Sequence, residues 1–259
     1  MLELNQIYLG DCLELMRDIP DKSIDMILCD LPYGTTACKW DTVISFEPLW
    51  EQYKRIIKDN GAIVLTATQP FASTLVTSNI EWYCYSWYWH KNKPTGFPNA
   101  NHMPLRDVEE IVVFSKGKPN PAAKIKTKYY PQGIIENEKV KKRNSKNTTV
   151  NNGEKDGSLN GIYFSKFSNY PRQLLKFNSQ SKTTHPTQKP VALFEYLIKT
   201  YTDEGETVLD NCIGSGTTAI ASINTNRNYI GIELDENYYE IAKNRVLQHS
   251  NSNVSTDEQ

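Results

Sequence analysis

Ile24-Asp25-Met26-Ile27-Leu28-Cys29 is a run of strand length whose residues are mostly apolar on both alternating faces. Successive side chains of a strand point to opposite sides, so such a run needs cover above and below. That calls for a largely parallel sheet with helices on both faces. The neighbouring segments agree. Gln6-Ile7-Tyr8-Leu9 reads as a short strand ending at Gly10-Asp11, and Cys12 to Arg17 as a helix with Leu13 and Met16 three apart. Leu49, Tyr53, Ile56 and Ile57 fall at helical spacing, Asn60-Gly61 stops that helix, and Ala62 to Thr66 is the next strand.

After Pro190 the alternation returns. Leu193, Phe194, Leu197 and Tyr201 mark a helix, Thr207 to Asp210 a strand, Ser215 to Asn224 a helix, Tyr229 to Glu233 a strand, and Asn237 to Leu247 a last helix. A tail over 250–259 is expected to be disordered. In the middle, the aromatic stretch Trp82 to Trp89 and the β-rich Glu110 to Phe114 could pair antiparallel at the sheet's edge. Alternating rings of this kind are chiefly sheet packing. From Gly117 to about Ser181 the apolar pattern fades into Lys, Asn, Ser and Gly, which reads as an inserted segment.

With 259 residues, 39% hydrophobic and 23% charged, the chain can bury a sizeable core. No apolar run approaches the roughly 20 residues of a spanning helix. The N-terminus lacks a basic flank and apolar stretch, so a cytoplasmic protein with no membrane partner is expected. The five cysteines form no Cys-x-x-Cys pair and the four histidines no metal spacing, so no metal is expected.

Net charge is only -1, yet between Lys116 and Lys146 ten basic residues face Glu136 and Glu138 alone, a local surplus of eight. By itself such a run reads as a solvated loop; beside a nucleic-acid site it reads as a phosphate-docking face.

Two segments carry chemistry. Val208-Leu209-Asp210-Asn211-Cys212-Ile213-Gly214-Ser215-Gly216-Thr217-Thr218 runs from strand through glycine loop to helix, and Glu233 ends the following strand. Glycines let backbone approach a ligand, a helix N-terminus offers unpaired N–H groups, and a carboxylate there can hold ribose hydroxyls. This fits a nucleoside-cofactor site without the Gly-x-Gly-x-x-Gly of dinucleotide binders; a glycine turn of an ordinary α/β protein is the other reading. Asp30-Leu31-Pro32-Tyr33 directly follows the apolar strand, which puts it on the same carboxyl-end rim. Four residues alone are a weak signal; paired with the glycine loop they are a strong one.

Together these segments resemble the amino-group DNA methyltransferases that use S-adenosyl-L-methionine, in the circularly permuted order where the catalytic segment precedes the cofactor segment. Asp30-Leu31-Pro32-Tyr33-Gly34 is similar to their Asp-Pro-Pro-Tyr signature, with Leu31 in place of a proline whose backbone carbonyl alone is used. Asp210 to Thr218 is similar to Asp-Pro-Phe-x-Gly-Ser-Gly-Thr-Thr, with Asn211 and Cys212 in place of Pro-Phe. Ile232-Glu233-Leu234-Asp235 followed by Tyr238 resembles the ribose-holding segment, His185-Pro186-Thr187-Gln188-Lys189-Pro190 the one enclosing the methionine moiety, and Gly10-Asp11-Cys12 the one touching adenine.

The resemblance implies a Rossmann-like class I methyltransferase α/β fold with a mixed, mostly parallel sheet. Its catalytic half would be 1–116, an inserted target-recognition segment 117–181, and its cofactor half 182–249. It implies catalytic roles for Asp30, Leu31, Pro32 and Tyr33. Cofactor contacts would come from Asp11, Cys12, Asp30, His185, Thr187, Gln188, Lys189, Asp210, Asn211, Gly214, Ser215, Gly216, Thr217, Thr218, Glu233 and Leu234. The partner would be double-stranded DNA holding a flipped base. A homodimer and a cognate restriction endonuclease are left open by the same analogy. Asp rather than Ser at the head of the signature favours N6 of adenine over N4 of cytosine. A cytosine-C5 enzyme would need a Pro-Cys pair, and none occurs.

Trp89, Lys91 and Phe97 are candidates for the base pocket, and Lys124, Lys126, Lys128, Lys141, Lys142 and Arg143 for phosphates. A nicotinamide-dependent dehydrogenase would share the glycine loop but has no use for Asp30 to Tyr33. An RNA or protein amide methyltransferase would open the signature with Asn.

Overall fold

The computed structural model describes residues 1–34, 42–144, 162–179 and 188–254. Its main sheet begins with β1 (Gln6–Leu9), β2 (Ile24–Cys29), β3 (Ile57–Ala67), β4 (Tyr83–Thr95) and β5 (Arg106–Phe114). Three strands from the second half complete it: β8 (Leu174–Lys176), β9 (Thr207–Asp210) and β10 (Asn228–Glu233). The order across the sheet is β1-β10-β9-β2-β3-β5-β4-β8. All strands run one way except β5, which is antiparallel to both β3 and β4.

The strand from residue 6 therefore lies beside the strand from residue 228, with Ile7 opposite Gly231, as the proposed motif order requires. The expected antiparallel pair also forms, but the sheet's edge is β8, a three-residue strand with no pattern of its own to reveal it.

The apolar runs are buried on both faces. Ile27 and Cys29 of β2 and Ile63 and Leu65 of β3 point to one layer, Met26, Leu28, Ala62 and Val64 to the other. The first layer is covered by α1 (Cys12–Leu15), α2 (Phe46–Ile56) and α3 (Phe71–Ser78), through Cys12, Leu49, Trp50, Tyr53, Ile56 and Leu75. The second is covered by α4 (Val191–Tyr201), through Leu193, Phe194, Leu197, Ile198 and Tyr201. Each fully buried Leu, Ile or Val contributes about 1.5–3 kcal/mol. Asp25, the one acid in β2, is answered by Lys58 Nζ at 2.6 Å and the Thr207 backbone N–H at 3.1 Å, so its burial leaves no orphaned charge. Asp11 caps α1, accepting from Leu13 N–H at 2.7 Å.

Beyond β9, α5 (Thr217–Asn224) and α6 (Glu236–Val254) pack Ala219, Ile220, Ala242 and Val246 with Ile7 and Tyr229. α6 corrects the expected tail: 250–254 are helical, and 255–259 lie outside the described residues.

The insert is also narrower than 117–181. The chain divides into Met1–Tyr130 with Gln173–Gln259, and a separate unit Pro131–Arg172. Residues 117–130 stay with the main unit because Lys128 N–H donates to Asn60 O at 3.0 Å and Tyr130 N–H to Thr200 O at 2.7 Å. Residues 173–179 stay with it through β8. The separate unit is a two-stranded antiparallel ladder of β6 (Ile135–Asn144) and β7 (Ile162–Ser168), with Asn169 Nδ2 donating to Gly133 O at 2.7 Å. No helix among the described residues is long and apolar enough to cross a membrane.

Candidate active site

β2, β9 and β10 all end at one rim of the sheet, and their last or next residues are Asp30, Asp210 and Glu233. Backbone running off parallel strands leaves a crevice at their carboxyl ends. Here it is a cavity of about 1070 Å³, lined by Asp30, Leu31, Pro32 and Tyr33 together with Asp210, Gly214, Ser215 and Glu233. Two segments some 180 positions apart in the chain thus share one pocket, as parallel strand ends dictate.

Asp30 is held from several sides. Its Oδ1 accepts the Tyr33 hydroxyl at 2.6 Å and the Thr66 hydroxyl, and its Oδ2 accepts Lys189 Nζ at 2.6 Å. Lys189 is buried, which lowers its pKa, but the carboxylates of Asp30 and Glu109 more than offset this and raise it, so it stays an ammonium. Its Nζ also lies 3.5 Å from Glu109 Oε2, while Glu109 Oε1 accepts Lys91 Nζ at 2.9 Å. Tyr33 rests its ring on Phe71, centroids 5.1 Å apart, and burial keeps its hydroxyl well above the usual phenol range, a neutral donor.

The glycine loop is tied down beside it. Asp210 accepts the Cys212 N–H at 3.1 Å and the Thr218 hydroxyl, and burial pushes its carboxyl up to about 7. Gly216 caps α5 at φ 82, and Gly214 has φ 54, both left-handed values that suit glycine. A Cβ on Gly214 would meet nothing nearer than Cys212 O at 4.0 Å, so the loop presents bare backbone on that side. Glu233 Oε2 accepts Gly214 N–H at 2.8 Å and Oε1 accepts Asp235 N–H at 3.0 Å. Burial raises its pKa against these hydrogen bonds.

The unusual Asn211-Cys212 pair has a packing reason. Asn211 Oδ1 accepts the Tyr53 hydroxyl at 2.5 Å, and its Nδ2 lies 3.5 Å from both the Cys12 and the Cys212 sulfur. Polar Asn is therefore satisfied where Pro would only fill space. Burial pushes the Cys29 thiol up to about 12, and contact with Cys212 raises Cys12, so these thiols stay protonated and offer no nucleophile.

Among the residues expected at the site, Asp11, Cys12, Gln188, Lys189, Asn211, Thr217, Thr218 and Leu234 also line the cavity. Gly216 instead turns against α6, where its Cβ position lies 3.4 Å from Ala242. His185 and Thr187 lie outside the described residues. Trp89 and Lys91 line the cavity, whereas Phe97 does not and stands exposed past the end of β4.

The basic residues divide. Lys128 sits beside the start of β3, its N–H on Asn60 O about 23 Å along that strand from the rim, and Lys126 bridges to Lys118. Lys128 is moreover paired with Asp203 at 2.8 Å and Glu206 at 2.6 Å. Charge in a sequence does not say which end of a sheet it will occupy, and here the chain has already left the rim at Phe114. None of Lys124, Lys126 and Lys128 lines the cavity. Lys141, Lys142 and Arg143 stand on β6 in the separate unit.

Thr66 and Glu109 were not foreseen. Glu109 alternates with Ile111 and Val113, so an acid at a core-facing position was the available signal. Among the described residues no group of His, Cys, Asp and Glu could hold a metal ion.

Comparison with known proteins gives the family. A DNA methylase family model, that of the N6/N4 methyltransferases, matches residues 24–244. The chain is 28% identical over 266 residues to the type II methyltransferase M2.MboI of Moraxella bovis, covering 92% of this chain and 86% of that one. It is 26% identical over 267 residues to the type II methyltransferase M.HpaI of Haemophilus parainfluenzae, covering 98% and 77%. Among solved structures, M1.HpyAVI in complex with SAM superimposes with a TM-score of 0.60 at 27% identity, covering 93% of this chain and 98% of that one. The cytosine-N4-specific PvuII methyltransferase shares the fold, with a TM-score of 0.62 at 16% identity over 92% and 84% of the two chains. By the span of its match, this chain belongs to the N6/N4 DNA methylase family.

Proposed function

We propose that this protein transfers the methyl group of S-adenosyl-L-methionine to the N6 amino group of adenine, in a nucleotide flipped out of double-stranded DNA. The observation that carries the reading is the single cavity shared by the Asp30 carboxylate, the glycine loop and the Glu233 carboxylate. Its volume of about 1070 Å³ is just above the range of about 300–1,000 Å³ for one small ligand, which leaves room for a cofactor and a base together. The donor's nucleoside end fits the open space at Gly214 and the carboxylate of Glu233, whose remaining lone pairs can accept from hydroxyls.

When bound, the cofactor supplies an electrophilic methyl on a sulfonium. The chain's part is to aim and sharpen the amino nitrogen, whose lone pair is otherwise delocalised into the base. Asp30 and the Leu31 carbonyl accept its two N–H bonds and so localise that pair toward the methyl carbon. The new N–C bond forms as the S–C pair returns to sulfur, and the surplus proton leaves through the Asp30 carboxylate. Holding both partners within reacting distance accounts for most of the acceleration. Neutral Tyr33 and the Thr66 hydroxyl keep Asp30 on target. The ring of Tyr33 lines the cavity against Phe71, where it supports a flipped base. Asp, rather than Ser, as the acceptor favours adenine.

Incubation with unmethylated DNA and methyl-labelled cofactor, followed by nucleoside analysis, tests this directly. Labelled N6-methyladenine is expected; N4-methylcytosine would overturn the choice of base, and no labelled nucleoside would overturn the activity. Asp30→Ala should lower transfer by about 10²-fold or more while leaving cofactor affinity within a few-fold. Substantial residual turnover would remove Asp30 from its role.

A further inference from the structure

Four charges of alternating sign cross the sheet from the base side of the cavity to Asp30. Lys91 on β4 meets Glu109 on β5 at 2.9 Å, Glu109 faces Lys189 at 3.5 Å, and Lys189 meets Asp30 at 2.6 Å. Lys91, Glu109 and Lys189 have side chains 9%, 15% and 7% exposed, so water screens them poorly. Two details give the row a direction. Asp30 Oδ1 already accepts two hydroxyls and Oδ2 already accepts the ammonium, so of a carboxylate's roughly four acceptor positions the one left for a base N–H lies on the oxygen that the ammonium holds. Glu109 Oε2 is buried, makes no hydrogen bond, and is ion-paired with the same ammonium only at 3.5 Å, against 2.6 Å for Asp30. A buried carboxylate oxygen that a cation reaches at such range has room to take it closer.

We propose that Glu109 is a positioning residue for methyl transfer: it draws the Lys189 ammonium off Asp30 when the amino group of the base docks there. The inference rests on the methyl-transfer reading of this same cavity. Its logic is electrostatic. During transfer, positive charge moves from sulfur to the amino nitrogen next to Asp30. An ammonium still seated on Asp30 would cancel the carboxylate's attraction for that charge and repel the nitrogen. With the ammonium on Glu109, Asp30 meets the base with its charge uncompensated and its Oδ2 free. Before the base arrives, the Lys189 pairing keeps Asp30 aimed. Lys91, on the far oxygen, holds Glu109 facing Lys189. Lys189 thereby acts on the catalytic carboxylate, in addition to any contact with the cofactor.

The test is a double-mutant cycle on the full-length chain, read by single-turnover methyl transfer to unmethylated DNA across pH, with cofactor affinity measured alongside. The groups facing Asp30 are Cys29, Tyr33, Thr66, Asp210 and Lys189, with Glu109 and Lys91 behind the last. Lys189→Met removes a cation from Asp30, so the acid limb of the rate should move to higher pH. Glu109→Gln removes an anion behind Lys189, so the acid limb should move to lower pH while the plateau rate falls on the order of a hundred-fold, the scale of a misplaced reacting group. Cofactor affinity should stay within about three-fold in Glu109→Gln, whose side chain is not among the cofactor contacts. If Glu109 works through Lys189, the double variant is no slower than Lys189→Met alone. Glu109→Asp, which keeps the charge, should keep the wild-type acid limb and recover part of the rate.

Additive losses in the double variant, acid limbs that move together or not at all, or cofactor affinity lost in step with rate in Glu109→Gln would each overturn the proposal. An unaltered chain that methylates no DNA would sink the methyltransferase reading itself, a result distinct from working wild type with the wrong variant pattern.

Discussion

Asp210 keeps its carboxyl almost wholly out of water at the end of β9, and its proton is correspondingly hard to remove. Burial pushes it up to about 7 from the ordinary 3.8, against the hydrogen bonds from the Thr218 hydroxyl and the Cys212 N–H. The folded state therefore binds this proton more tightly than the unfolded chain does. That stabilisation is complete below about pH 3.8 and is lost as pH rises through about 7. Asp210→Asn cannot ionise and lacks this dependence. Denaturant titrations of both chains should show wild type losing a few kcal/mol relative to the variant between pH 4 and pH 8, at about 1.4 kcal/mol for each tenfold difference in proton affinity between the folded and unfolded chain. A gap that does not change with pH would mean that the carboxyl ionises as easily folded as unfolded.

β10 has no room for added volume at Gly231. A Cβ on Gly231 of β10 would lie 2.3 Å from Ile213 Cδ1 and 3.2 Å from Ile7 Cγ1. Gly231→Ala should cost about 1–3 kcal/mol and weaken cofactor binding, because the side chain it displaces sits in the glycine loop. Ile213→Val deletes the clashing Cδ1 and should restore part of both in the double variant, measured by thermal unfolding and cofactor titration. Equal stability of Gly231→Ala and wild type would refute the tight fit.

The sequence was most legible where burial is two-sided. β2, β9 and β10 are apolar on both faces and bounded by turns, so their existence, their parallel sense and the rim they share could all be read off. Legibility failed where packing is one-sided or absent. β8 has one buried residue in three, and the end of α6 has a polar run with no apolar stripe. Glu109 was missed for the opposite reason: it begins an apolar run but faces the core, and only the fold brings Lys189 to answer it. The three lysines at 124, 126 and 128 show the limit of charge counting, since a local surplus of eight says nothing of position.

At the scale of the molecule, the separate unit Pro131–Arg172 adds no strand to the eight-stranded sheet. It carries eight basic residues against four acidic, a surplus of four in a chain whose net charge is -1. We expect replacement of 131–172 by a flexible linker to leave folding and cofactor affinity within a few-fold. DNA affinity should fall, and its log–log dependence on salt should flatten by about 0.9 for every phosphate contact removed. An unchanged salt slope would clear this unit of phosphate contact.

The pairing of β1 with β10 also sets a schedule. Tyr229 N–H donates to Asn5 Oδ1 across 224 positions, and Ile7 waits for Gly231 to complete its side of the sheet. Contacts of such separation form late, and a chain emerging from a ribosome at about 5–20 residues per second holds β1 unmatched until β10 has followed it. The carboxylate of Glu233 and the loop it anchors arrive with that same stretch. A nascent fragment that ends before residue 228 therefore has no assembled seat for the sulfonium donor.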